Sequence, residues 1–465
     1  MEKVRQITKA VLVVFFTLSQ LFALRPWGGD YQPSKAVAPG DETKYLQIEA
    51  NDKGFDTFRP RDERGGYRYG PSMILNKDGS LDVWSAANGP GDLVDLVSYN
   101  RLICGGRLST GETIAVKPTP ESLDQNWTCD PGVIKFGGYY YVGYTTTVDT
   151  RGVDNDVCVA RSKKPDGPYE KWTGSGWGIC PAPLVEYTGN PEYFGCGEPS
   201  FVLMGDTLYI YYTWADETGA ATRVATADAT DENWPATIRF CGECIPPKNG
   251  GDSADVKYVD AYGRFVAVFT EKRFSDDSYV AVWESFDGLS FRQSGFVKTN
   301  TTKKLHNCGI SGRADGHIGK DDPVYLSYAY GGADGNNWGN WSTRMHRVTL
   351  SLADAPKTDD TAEQNTDLVV VRKPLNIVPQ VTTIKADKQV YTLSKPQLLW
   401  AMALDADGDY FPLLTGVWFS GYDRSVVRFV GNLAVPVAPG TTRVTLHWHG
   451  FSGDCVVHVT DDAQG

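Results

Sequence analysis

Apolar and polar positions along this chain repeat in a long-period pattern. Five runs mix aromatic and β-branched residues in the manner of strands: Leu81 to Ala86, Tyr140 to Thr145, Leu208 to Thr213, Phe265 to Thr270 and Val324 to Ala329. They begin at 81, 140, 208, 265 and 324, a period of about sixty residues. A shorter apolar strand and a turn precede each run. The clearest are Pro71 to Leu75, Pro131 to Lys135 and Pro199 to Leu203, with turns at Lys77-Asp78-Gly79, Gly137-Gly138 and Gly205-Asp206. A third strand follows each run: Leu96 to Arg101, Val157 to Ser162, Arg223 to Ala227, Tyr279 to Ser285 and Ser342 to Val348. One such meander cannot bury both of its faces. Five packed radially can, so the pattern predicts an all-β chain with a five-bladed β-propeller over residues 39–352. A β-sandwich with accidental spacing is the alternative, and three strand classes in phase over five copies argue against it.

The pattern changes near Leu352. Residues 353–374 are polar and read as a linker. Residues 375–465 return to short strands at closer spacing, ending in Thr442 to Trp448 and Cys455 to Val459, which predicts a small β-sandwich. Val417-Trp418-Phe419-Ser420, Arg424 to Val427 and Pro439-Gly440-Thr441-Thr442 resemble bacterial immunoglobulin-like group 2 modules. That resemblance implies a spacer or a cell-surface attachment unit. At the other end, Lys3, Arg5 and Lys9 precede an apolar stretch from Ala10 to Leu24, too short for a membrane span. Residues 1–38 therefore read as a signal peptide and leader, and the protein as secreted or cell-surface. An uncleaved anchor is the alternative, since the small-residue pattern Ala36-Val37-Ala38 lies far downstream.

Composition narrows the partner. A formal net charge of −12 opposes binding to nucleic acid, and a neutral substrate fits better. The 9 cysteines are an odd number, so at least one is free or intermolecular, and Cys241-Gly242-Glu243-Cys244 has no second such pair with which to hold zinc.

In a propeller the innermost strands start around a central funnel. The five starts align as Gly70-Pro71-Ser72, Asp130-Pro131-Gly132, Glu198-Pro199-Ser200, Asp255-Val256-Lys257 and Gly316-His317-Ile318. Three carboxylates and a histidine fall there. Each has a bland reading, since Asp before Pro starts turns and Glu can cap a strand. Equivalent placement in successive blades favours Asp130 and Glu198. Glycoside cleavage needs such a set: one carboxyl to protonate the leaving oxygen, and another to activate water or attack the sugar.

Trp127-Thr128-Cys129-Asp130-Pro131-Gly132-Val133-Ile134, followed by Gly138 to Tyr141, resembles the second-blade motif of glycoside hydrolase family 43. Ala160-Arg161-Ser162 with Asp166-Gly167-Pro168-Tyr169, and Gly197-Glu198-Pro199-Ser200, resemble its blade-closing and third-blade segments. The resemblance implies a general acid at Glu198, with Asp130 tuning its pKa. It implies a central calcium beside His317, and inverting hydrolysis of arabinose- or xylose-containing glycans. One departure stands out. The family carries its general base at the first-blade inner strand, where this chain has Gly70. Three explanations stay open. Another carboxylate could serve (Asp62, Glu63, Asp92, Asp95 or Asp255, with Asp255 first on geometry), the strand register could differ, or the propeller could bind glycans without cleaving them.

Sugar faces stack on aromatic rings. Trp127, Trp214, Trp338 and Trp341 are the candidate substrate contacts, with Trp177, Tyr193 and Phe194 in similar Gly- or Asn-rich loops. Blade-to-blade packing is the bland reading of each.

Overall fold

The computed structural model describes residues 40–59, 67–88, 95–247, 252–332, 341–357, 381–405, 410–413, 417–448 and 450–460. The signal segment, most of the linker, Asp62, Glu63, Asp92 and Trp338 lie outside them.

Five antiparallel sheets form the blades. Their inner strands are Arg68–Leu75, Cys129–Phe136, Gly195–Met204, Asp252–Val259 and Leu305–Ile310. Each inner strand packs against the next, and the fifth against the first, so the ring is closed. The five-bladed propeller is therefore the fold. The strands Leu81–Ala87, Tyr139–Thr146 and Arg264–Glu271 are buried on both faces apart from Tyr139, because neighbouring blades cover them from either side. That accounts for apolar runs where a one-sided sheet would alternate. The outermost strands behave otherwise. Leu108–Val116 and Arg239–Ile245 are largely exposed and carry no apolar run, which is why the repeat shows only three strand classes.

The ring is sealed by an early segment. Tyr45–Ala50 forms the outer strand of blade 5, pairing antiparallel from Tyr45 opposite Ala353 to Ala50 opposite Val348. Contacts of the propeller continue to Lys357, whose backbone N–H donates to the Ser294 carbonyl at 3.0 Å. The expected linker thus begins a few residues later than its composition suggests.

Every inner strand carries a β-bulge at the same place, between Tyr69 and Ser72, Cys129 and Gly132, Gly197 and Ser200, Asp252 and Asp255, and Leu305 and Cys308. The bulge leaves residues out of the ladder, so Pro71, Pro131 and Pro199 are tolerated in the middle of a sheet. It also turns the first skipped residue into the left-handed region: Gly70 at φ 56°, Asp130 at 47°, Glu198 at 54° and Ser253 at 59°.

Two alignments change. Blade 4 begins at Asp252-Ser253, so Asp255 sits two residues below the bulge position instead of on it. Blade 5 begins at Leu305, not at His317. An insertion separates its first two strands, and this insertion forms a floor under the propeller. Leu75, Lys135, Leu203 and Tyr258, at the far ends of the other four inner strands, donate backbone hydrogen bonds in turn to the carbonyls of Gly312, Ala314, Asp315 and Gly316, at 2.7–3.0 Å. His317 belongs to this floor.

A separate core marks the C-terminal unit. Ile384, Tyr391, Leu393, Val427, Val444, Leu446, Trp448, Val457 and Val459 form it. The strand Gly440–Trp448 alternates cleanly, burying Thr442, Val444, Leu446 and Trp448. All nine cysteines are free thiols, six of them buried.

Candidate functional site

The bulges bring Gly70, Asp130, Glu198 and Ser253 to the cavity at the axis, and His306 takes the equivalent place in blade 5. Asp130 and Glu198 are 8% and 6% exposed. Asn307 joins them, its Nδ2 donating to Asp130 Oδ1 at 3.1 Å and to Glu198 Oε1 at 3.3 Å. The two carboxyls therefore lie within two hydrogen-bond lengths of each other. The Thr213 hydroxyl donates to Glu198 Oε2 at 2.7 Å and accepts from the Ser253 N–H at 2.9 Å. The Glu198 N–H donates to Thr145 Oγ1 at 2.8 Å. These bonds hold both carboxyl-bearing residues in a backbone conformation that costs a non-glycine residue about 1 kcal/mol or more.

The electrostatics follow from burial and proximity. Burial, and then the charge of Glu198, push the Asp130 carboxyl up to about 7. Burial raises Glu198 too, against the opposing pull of Arg273 and of the Thr213 and Asn307 donors. The pair titrates as a unit, and it is poised to carry one proton where ordinary carboxylates carry none. Arg273 is ion-paired with Asp252 and sits close enough to favour the ionised form of both members.

Gly70 sits beside them. A Cβ there would lie 3.5 Å from Asp130 Oδ1 and 3.9 Å from Asn307 Nδ2, in ordinary contact. The register is therefore as the alignment gives it. Gly70 occupies the bulge position, its φ of 56° suits glycine, and no side chain from that position reaches the funnel.

Asp255 lies lower in the channel in a different setting. Its carboxylate is ion-paired with Lys257, accepts from Ser200 Oγ at 2.8 Å and from the Ile310 N–H at 2.8 Å. Ser200, Asp255 and Ile310 belong to blades 3, 4 and 5, so this group ties blades together and has its charge already matched. It is not placed as the base. Gly70, Pro71, Ser72, Asp130, Glu198, Ser253 and Asp255 line one cavity at the axis, about 280 Å³ with the open solvent at its mouth included.

The tryptophans divide. Trp341 is fully buried, with its ring 4.5 Å from that of His306 and 5.7 Å from that of Phe274, so it backs the funnel wall and offers no face to a ligand. Trp214 is held between the Tyr187 ring at 4.8 Å and the Arg223 guanidinium at 4.0 Å, away from the axis. Trp127 is half-buried against the cluster of Tyr67, Tyr69, Cys129 and Trp341, and alone of the three lies beside the funnel with part of its surface open.

A central calcium does not fit these residues. His317 is on the floor, its Nδ1 2.7 Å from Asp260 Oδ1 and its Nε2 2.8 Å from the Leu203 carbonyl. The fifth-blade histidine at the funnel is His306, packed among Tyr69, Phe274 and Trp341 and held neutral by burial and by Arg273. The axial carboxylate Asp255 already carries the Lys257 ammonium. Among the described residues no group of three His, Cys, Asp or Glu side chains is arranged to hold a metal.

Asn307, Arg273 and Asp252 were not singled out in the sequence. The fifth-blade bulge has no proline to announce it, and Arg273 reaches the site from the turn between two blade-4 strands. The fixed offset from bulge to second strand would have found Asn307 had the floor insertion not broken it.

Comparison with solved structures finds matches at low identity. A family 117 glycoside hydrolase from the marine bacterium Zobellia galactanivorans matches at 14% identity over 68% of this chain and 92% of that one, with a TM-score of 0.46. An α-L-arabinofuranosidase from Podospora anserina, solved with cellotriose, matches at 10% over 66% and 98%, with a TM-score of 0.46. A thermostable family-43 glycoside hydrolase matches at 12% over 64% and 97%, with a TM-score of 0.45. No protein-family model and no curated protein matches the chain.

Proposed function

We propose that the funnel hydrolyses glycosidic bonds, with Glu198 as general acid and Asp130 as the group that keeps it protonated. The observation that carries this reading is the buried Asp130–Asn307–Glu198 bridge. Two carboxyls are held together at cost, in strained backbone, at equivalent positions of successive blades, on the wall of the axial cavity. A structural carboxylate in the same channel, Asp255, is neutralised by a lysine, whereas this pair is not. A neutral acid at near-neutral pH is what leaving-group protonation requires. The motifs around Asp130 and Glu198 favour arabinose- or xylose-containing glycans and inversion. Trp127 supplies the stacking face. In this reading the chain is exported, and the C-terminal unit is an immunoglobulin-like spacer or surface anchor.

Gly70 favours a second reading, a propeller that binds glycans without cutting them. One experiment separates the two. Wild type and Glu198→Gln are assayed on arabinosides, xylosides and galactosides with leaving groups of different acidity. Loss of about 10³ in kcat on poor leaving groups, and less on activated aryl glycosides, supports the acid role. Binding without turnover by the wild type supports the second reading.

A further inference from the structure

Resting on the hydrolase reading, the missing base can be found. We propose that Asp95 takes the proton from the attacking water, so that the base has moved from the inner strand of blade 1 to the residue preceding that blade's third strand, Leu96–Ile103.

Three observations place it. The Tyr69 hydroxyl donates to Asp95 Oδ2 at 2.8 Å, and the Tyr67 hydroxyl donates to Oδ1. Tyr69 immediately precedes Gly70, and its ring stacks on His306 at 5.0 Å, along the funnel wall. The Asp95 carboxyl is thus one hydroxyl removed from the Asp130 neighbourhood, and its ionisation is opposed by Asp130 after burial itself. Second, Asp95 is stitched to the strand that carries Asp130: its carbonyl accepts the Thr128 N–H at 3.0 Å. Third, its side chain is partly exposed. Its described competitors are engaged elsewhere. Asp252 is paired with Arg273, and Asp255 with Lys257.

The step balances as an ordinary single displacement. A water oxygen bonds to the anomeric carbon as one of its protons passes to the Asp95 carboxylate. The glycosidic carbon–oxygen bond breaks with its electron pair on the leaving oxygen, which takes the proton of Glu198. Asp95 is left protonated and Glu198 ionised, and solvent restores both. The two tyrosine hydroxyls orient the carboxyl group and work against the burial and the Asp130 charge that hold back its ionisation.

The test is Asp95→Asn, which keeps acceptor and shape, with folding checked by its Tm. The expected kcat falls by about 10³ on substrates that the wild type cleaves. Azide restores at least tenfold and yields a glycosyl azide of inverted configuration. Adding Gly70→Asp to Asp95→Asn restores part of the activity, because a Cβ at Gly70 meets Asp130 at ordinary contact distance and the equivalent bulges already hold Asp130 and Glu198 at the same left-handed φ. Tyr67→Phe removes one donor from the carboxylate and moves the acidic limb of kcat/KM to higher pH. The proposal is overturned if Asp95→Asn keeps kcat within threefold while Glu198→Gln is inactive, if that acidic limb stays put, or if proton NMR of the first product shows retention. A Glu198→Gln enzyme that stays fully active instead removes the hydrolase reading itself.

Discussion

Two kinds of buried carboxylate share the axial channel, on different inner strands, and they are treated in opposite ways. At the bulges, Asp130 and Glu198 face one another across an asparagine amide, with an arginine nearby that is already paired to Asp252. Two residues further down, Asp255 has an ammonium, a hydroxyl and a backbone N–H of its own. Burial costs each set desolvation. Only the lower one is repaid locally, and only the upper one keeps an ambiguous proton. The difference teaches how to separate a structural carboxylate from a chemical one when both are buried. The structural one has its lone pairs and its charge matched; the chemical one is left competing for a proton.

That contrast can be broken from below first. Asp255→Ala strands the Lys257 ammonium in the channel and unties blades 3, 4 and 5. The expected loss is about 3–5 kcal/mol of stability, read as a large fall in the denaturant midpoint. Adding Lys257→Met should recover much of it, since the pair is matched within itself. An Asp255→Ala protein as stable as wild type would end the idea that the lower set is structural.

The upper pair should answer in the opposite direction. Asp130→Asn removes a carboxyl whose folded-state pKa is raised. The repulsion it relieves is fully present above about pH 7 and fades as pH falls towards the ordinary carboxylate range. Expected at pH 8 is a gain on the order of 2 kcal/mol, shrinking to nothing near pH 4, with kcat down by about 10². Thermal scans across pH read the first, and progress curves the second. A loss of stability at every pH would place Asp130 with Asp255.

The smallest effect concerns metals. With Lys257 supplying the positive charge on the axis, EDTA should shift Tm by less than about 1 °C, and calcium should not restore a Lys257→Met protein. A chelator-sensitive Tm would show a cation that the donor set does not suggest.

Much of this was legible in residues alone. The strand runs beginning at Leu81, Tyr140, Leu208, Phe265 and Val324 are blade strands, and Asp130 and Glu198 stand together at the funnel. Proline made that legible, because Pro131 and Pro199 mark the bulges that aim the residues before them. Where the marker is absent, sequence position misleads. His306 and Asn307 have no proline after them, and the floor insertion shifts the fifth blade's phase, so His317 took their place in the alignment. Asp255 was misplaced in the same way by two residues. Trp341 shows a different difficulty, since a Gly- and Asn-rich loop predicts exposure while the ring itself turns inward onto His306. Asp95 is one of five base candidates, three of which lie outside the described residues, and nothing in the sequence around it sets it apart from Asp255.

The floor has a consequence for traffic. Gly312 to Ile318 runs across the bottom of the channel, bonded to four inner strands in succession. A chain entering the funnel meets that floor, so in the proposed reaction substrate and products would pass through the same mouth.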